Sequence, residues 1–140
     1  MTLLLDTSGL FAALNVSQSQ HAACAASLLA HPGPLVLSPF VVAELDYLVL
    51  REGGVDRELA LLEEIGAGAY EVASISAADI AAAHQVAARY RDLGLGVTDA
   101  TILVLAQRYG TRDVLTLDHR HFRAVIDHPG QPLRLLPSDA

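Results

Sequence analysis

The stretch that decides the fold is Leu3-Leu4-Leu5-Asp6-Thr7-Ser8-Gly9. Three leucines in a row are too short for a buried helix and read as a strand covered on both faces. The Asp-Thr-Ser-Gly that follows is turn chemistry leading into a helix. A strand of this kind belongs to a parallel sheet, because only a sheet with helices on both faces needs strands without a polar side. The same grammar recurs outward along the chain. Leu35–Leu37 is a second short apolar run, followed by Ser38-Pro39, a helix N-cap with proline at the first helical position. That helix extends to about Arg51 and breaks at Gly53-Gly54. Asp56–Ile65 is a further helix, Tyr70–Ala73 a strand, and Ser76-Ala77-Ala78-Asp79 a capping box opening a helix to about Arg91. Between the first two strands, Ser17 or Gln20 to Ala30 is helical and is stopped by His31-Pro32-Gly33-Pro34.

Gly94 and Gly96 form a loop, and Thr98 is placed to cap a helix from Asp99 to Tyr109 that Gly110 ends. Val114–Leu117 is a strand, Asp118–Phe122 a turn or short helix, and Leu133–Leu136 a last strand. Strands alternating with helices at this spacing predict an α/β domain with a mostly parallel sheet. The chain has 140 residues, one domain's worth, so residues 1–140 are read as a single unit without repeats or linkers.

Composition narrows the chemistry. Apolar residues make up 52% of the chain, enough for a filled core, and no run approaches the ~18 apolar residues of a membrane span. The first residues lack a basic n-region and Asp6 interrupts their apolar run, so a cytoplasmic protein is expected. Cys24 is the only cysteine, which excludes an intrachain disulfide and fits a small buried filler. All nine basic residues are arginine. Lacking lysine, the chain cannot run chemistries that require one beside the acids, as receiver domains and haloacid-dehalogenase-type phosphatases do.

The acids are more informative. Asp6 ends the first strand and Asp118 follows another, and in a parallel α/β sheet sites form beyond the carboxyl ends of strands. Asp99 stands at the start of a helix, where the macrodipole favours negative charge, and Glu44 lies early in the helix after Leu35–Leu37. Each has a plain reading too: Asp99 and Asp118 as caps, Glu44 as a solvated helix residue. Asp6 resists one, because a carboxylate beside a buried strand is costly unless paired. Four acids converging on one edge repel each other unless a cation neutralises them. Hard oxygen donors suit Mg²⁺ or Mn²⁺, which can activate water and stabilise a leaving oxygen in phosphodiester hydrolysis.

In order, Leu4-Leu5-Asp6-Thr7-Ser8, Val41-Val42-Ala43-Glu44-Leu45, Val97-Thr98-Asp99-Ala100 and Leu115-Thr116-Leu117-Asp118-His119-Arg120-His121-Phe122 resemble the successive motifs of PIN domains. More narrowly, they resemble the VapC toxins of bacterial toxin–antitoxin pairs, in their mycobacterial or actinobacterial form. The resemblance covers essentially the whole chain. It implies a three-layer α/β/α fold, Mg²⁺- or Mn²⁺-dependent endoribonuclease activity, a VapB-like antitoxin and a homodimer. It assigns Asp6, Glu44, Asp99 and Asp118 to catalysis, with Asp6, Asp99 and Asp118 on the metal and Thr7 and Thr116 orienting carboxylates or waters. Many PIN domains carry a further acid one turn into the third-motif helix. Here Ile102 and Leu103 stand in that place, so one ion is expected and a second is left open.

Other residues were weighed against this set. Asp46 is about 200° around the helix from Glu44, so it is assigned to structure or an interface. His119 and His121 are assigned to the surface or to a supporting role, since imidazole suits a Mg²⁺ site poorly. Phe122 is read as a core plug anchoring the turn that bears Asp118. Gly94-Leu95-Gly96 lacks the third glycine of a dinucleotide fingerprint, and Ser8 and Ser38 have no nucleophile elbow around them. The formal charge of −7 opposes RNA binding by bulk electrostatics. A bound ion would offset part of it, and Arg112, Arg120 and Arg123 lie near the Asp118 segment as a possible basic rim for RNA. The alternative function is a catalytically silent PIN-fold module whose acidic crevice binds a basic partner peptide.

Overall fold

A computed structural model of the chain describes residues 1–125 and 130–140. In chain order the elements are β1 (Leu3–Leu5), α1 (Thr7–Leu14), α2 (His21–Ala30), β2 (Leu35–Leu37), α3 (Pro39–Gly53), α4 (Val55–Gly66), β3 (Glu71–Val72), α5 (Ala77–Arg89), α6 (Gly96–Tyr109), β4 (Asp113–Leu115), α7 (His119–Ala124) and β5 (Arg134–Leu136). A short 3₁₀ turn, Arg91–Leu93, links α5 to α6. The strands form one sheet in the order β3-β2-β1-β4-β5, and every pair is parallel.

This order explains the layering. From β1 the chain steps outward through β2 to β3, then returns past β1 to β4 and β5. Parallel crossovers are right-handed, so reversing direction moves the helices to the other face and yields an α/β/α sandwich. β1 sits centrally, and Leu3, Leu4 and Leu5 are each at most 1% exposed, as a strand covered on both sides requires. Val36, Leu37, Val114, Leu115 and Leu135 extend the same core, and Phe122 plugs it from α7. Cys24 packs with Ala12 and Ala13 where α2 meets α1, the filler role expected of it.

Helix boundaries follow local chemistry. Ser38 Oγ accepts the Phe40 N–H at 3.2 Å with Pro39 next to it, and Ser76 and Asp79 complete the expected reciprocal capping box. Two expectations shift. Helix α6 starts at Gly96, not Asp99, because Thr98 spends its hydroxyl on a distant carboxylate instead of capping. Strand β4 spans Asp113–Leu115, earlier than expected, so Thr116 to Asp118 form a connection beyond the strand end. Among the described residues no helix is long and apolar enough to cross a membrane.

Gly9 brings α1 hard against β4: a Cβ there would lie 2.5 Å from the Leu115 carbonyl oxygen. That contact is backbone, which cannot rotate away. Gly9→Ala should therefore cost about 1–3 kcal/mol of stability through overpacking. Urea unfolding checks this, and an unchanged midpoint would mean that α1 slides freely.

Candidate functional site

The strand order reverses between β1 and β4, and the crevice beyond their carboxyl ends is where such a fold builds a site. Asp6 leaves β1 directly into this crevice and is only 5% exposed. Its Oδ2 accepts hydrogen bonds from Thr116 Oγ1 at 2.7 Å and Ser8 Oγ at 3.0 Å. Burial is the main cause holding Asp6 above the ordinary carboxylate range. The hydroxyls pull it back, and the nearby Asp118 charge adds to the rise.

Thr116 does two jobs. Besides donating to Asp6, its hydroxyl accepts the Asp118 N–H at 2.9 Å, so one fully buried side chain sets the spacing between two acids from different strands. Ser8 reinforces the tie by accepting the Leu117 N–H at 3.0 Å. That bond explains Ser8 as a carboxylate-positioning hydroxyl, with no need for a nucleophilic role. Asp118 caps α7, accepting the His121 N–H at 3.5 Å, so its plain structural reading is also correct.

Asp99 lies in the first turn of α6. Its Oδ2 is 2.7 Å from His121 Nδ1, which is also 3.5 Å from Asp118 Oδ2. Asp99 is raised to about 6, first by burial and then by the charges of Asp6 and Asp118, against the lowering effect of His121. The three aspartates thus sense one another, and the His121 imidazole lies between two of them. Donor atoms of Asp99, Asp118 and His121 all lie within 4.8 Å of one another. Carboxylate oxygens grouped at this separation suit a small divalent ion.

Glu44 joins the site differently. Its Oε1 accepts from Thr7 Oγ1 at 2.7 Å and its Oε2 from Thr98 Oγ1 at 2.8 Å. Thr7 follows Asp6 and Thr98 precedes Asp99, so Glu44 clamps the segments carrying both aspartates. Thr7 thus donates its hydroxyl to a carboxylate of the set. The role of Thr98 was missed, because its place before a helix reads equally well as a cap.

Other residues fall outside this cluster. Asp46 lies beside Glu58 of α4 and holds that carboxyl above its ordinary range, while its own Oδ1 is buried without a hydrogen-bond partner among the described residues. His119 Nε2 is buried without a hydrogen-bond partner among the described residues. Ile102 is buried in the core, and Leu103 packs against it, so the position of the further acid faces hydrocarbon. Of the three arginines, Arg123 is bound in a fork to Asp139, Arg112 donates to the Pro132 carbonyl and Arg120 is exposed on α7. A concavity of about 420 Å³ lined by Thr7, Ala43, Glu44, Tyr47 and Leu48 opens beside the acids. A larger one, about 600 Å³ between α1, α3 and α4, includes none of the four.

Residues 3–127 match the model of the PIN domain family. The chain is 44% identical over 135 residues to Ribonuclease VapC26 of Mycobacterium tuberculosis, covering 96% of this chain and all of that protein. Its fold is similar to that of Mycobacterium tuberculosis VapC20, a toxin that cleaves the sarcin–ricin loop. The TM-score is 0.76 at 20% identity, over 83% of this chain and 89% of that one. It is also similar to VapBC2 of Rickettsia felis bound to a fragment of promoter DNA, with a TM-score of 0.68 at 22% identity over 96% of this chain and 98% of that one.

Proposed function

The chain belongs to the PIN-domain family, in its VapC branch, and from that premise we propose that it is a divalent-metal-dependent endoribonuclease, the toxin of a toxin–antitoxin pair. One observation carries the reading: three aspartates from β1, α6 and the β4–α7 connection converge at the strand-order switch, where burial first, and then the charge of their neighbours, raises Asp6 and Asp99. Asp6, Asp99 and Asp118 would hold one Mg²⁺ or Mn²⁺, and no acid stands at the position of Ile102 and Leu103 to help hold a second. Such an ion supplies an acidified water and charge neutralisation at the leaving oxygen, so that hydrolysis leaves a 5′-phosphate and a free 3′-hydroxyl.

The protein's own residues supply position. Thr116 and Ser8 favour the ionised form of Asp6 and aim it into the crevice. Thr116 fixes the Asp118 backbone, and Glu44 belongs to the catalytic set as the carboxylate that locks Thr7 and Thr98 together. Arg120 is the member of the arginine rim best placed to meet RNA, because Arg123 is engaged with Asp139. The relatedness to VapC26 supports RNA as substrate, and the VapBC2 complex supports a VapB-like antitoxin as partner; a homodimer and a cytoplasmic location complete the reading.

The test is cleavage of a panel of structured RNAs, with end mapping of the products. EDTA-treated, folded protein should be inactive, and Mg²⁺ or Mn²⁺ should restore cuts that leave 5′-phosphates. Undiminished cleavage in EDTA, or 2′,3′-cyclic phosphate ends, would overturn the metal-dependent reading.

A further inference from the structure

Among the described residues His121 is the one non-carboxylate donor in the cluster, and its placement reaches beyond support of Asp99. Helix α7 begins immediately after Asp118, and the Asp118 carboxylate accepts the His121 N–H, which sets the register of that first turn. The register turns the imidazole toward α6, leaving its side chain 17% exposed. Nδ1 then faces Asp99 Oδ2 at 2.7 Å and Asp118 Oδ2 at 3.5 Å. Donors about 2.1 Å from one ion are separated by about 3 Å when adjacent and about 4.2 Å when opposite. The donor atoms of this triad, all within 4.8 Å of one another, are grouped close to that range. An imidazole lying between two carboxylates has two options once a dication occupies the space. It can turn its lone pair to the ion, or it must leave.

We infer that His121 Nδ1 is a ligand of the divalent ion held with Asp99 and Asp118, and that this nitrogen makes the centre select Mn²⁺-like transition ions over Mg²⁺. The inference rests on the proposed metal-dependent function and adds to it which ion the site prefers. Imidazole binds first-row transition ions well, whereas Mg²⁺ favours oxygen donors and keeps its waters. An all-carboxylate site would discriminate much less between the two.

The test measures binding to the intact protein, not activity. Calorimetric titrations with Mg²⁺ and with Mn²⁺ are compared for the wild type, His121→Ala and His121→Asn, each checked for folding by circular dichroism. Both variants should lose about tenfold in Mn²⁺ affinity while Mg²⁺ affinity changes less than threefold. Proton NMR of the wild type loaded with Co²⁺ should show a strongly hyperfine-shifted exchangeable imidazole N–H, a signal that needs direct ligation and does not depend on a variant folding. Equal losses for Mg²⁺ and Mn²⁺, unchanged Mn²⁺ binding in both variants, or absence of the shifted proton would overturn the assignment and leave His121 as a residue that only positions Asp99. If the wild type binds none of these ions, the metal-dependent reading itself falls. The two failures are therefore distinguishable.

Discussion

Replacing Asp99 with Asn is expected to cut RNA cleavage by about a thousandfold and, in the same protein without metal, to raise its stability at neutral pH. The first effect follows from charge. An amide is a weak ligand for a hard divalent ion, and losing several kcal/mol of transition-state stabilisation is about three powers of ten in rate. The second follows from the burial of Asp99, to which the charges of Asp6 and Asp118 add. An unfolded chain titrates an aspartate near 4, whereas folded Asp99 titrates at about 6. Between those values the folded form binds the extra proton, so stability is greatest below the lower one and falls as pH climbs through about 6. Two pH units would amount to about 3 kcal/mol. Partial access of solvent screens this to about 1–2 kcal/mol at pH 7.

Asn is neutral throughout and escapes that loss, while its carbonyl oxygen can still accept from His121. Calorimetric melting in EDTA is the measurement. The variant should melt above wild type at pH 7.5, and the gap should narrow by pH 4.5 and close below about pH 4. A gap of the same size at both values would show that folding does not raise the Asp99 carboxyl as its burial beside two acids demands. Asp6→Asn should behave alike in activity. Its stability gain should be smaller, because Thr116 and Ser8 already compensate part of the buried charge.

The fold was largely legible because the strands are written in an unambiguous alphabet. Leu3–Leu5 and Leu35–Leu37 carry no polar residue, and Ser38-Pro39 and the Ser76–Asp79 box mark helix starts by local hydrogen bonds that need no tertiary context. Where tertiary contacts compete, local reading failed. Thr98 has the position of a cap, but the Glu44 carboxylate 54 residues away takes its hydroxyl, and α6 starts at Gly96, three residues before Asp99. The Val114–Leu117 run looks continuous in sequence. The side chains of Thr116 and Ser8 end it by bonding the N–H groups of Asp118 and Leu117.

The same limit governs the site. Asp6 and Asp118 were placed by strand ends, which topology brings together without further information. Glu44 and Asp99 depended on the family pattern. His121 was undervalued because its proximity to Asp99 depends on the register of a six-residue helix against another element, a geometric fact without a local signature. The approach of Arg123 to Asp139 belongs to the same class, since the two residues are 16 apart and meet only in the fold.

Thr116→Val should be the most damaging change that leaves every acid in place. Valine has nearly the shape of threonine, so packing at this fully buried position is preserved and the hydroxyl alone is lost. That hydroxyl is a donor to Asp6 and an acceptor from the Asp118 N–H. Stranding a buried polar group costs about 1–3 kcal/mol, and two are affected here. Ser8 still donates to Asp6, which places the expected total at about 2–4 kcal/mol. Loss of a supporting bond to ligand residues typically lowers metal affinity or rate by about 10–100-fold.

The deficit should also carry a pH signature. Thr116 favours the ionised form of Asp6, so its removal pushes that carboxyl further up, and the deficit is largest at neutral pH and shrinks as acid protonates Asp6. Thr116→Ser keeps the hydroxyl at the expense of one methyl group and should recover most of the activity. Urea unfolding at pH 5 and pH 7.5, with parallel metal titrations, separates the possibilities. If valine and serine prove equally harmful, and equally so at both pH values, then the methyl contact and not the hydroxyl holds this corner of the site, and the hydrogen-bonded link between the ends of β1 and β4 carries no functional weight.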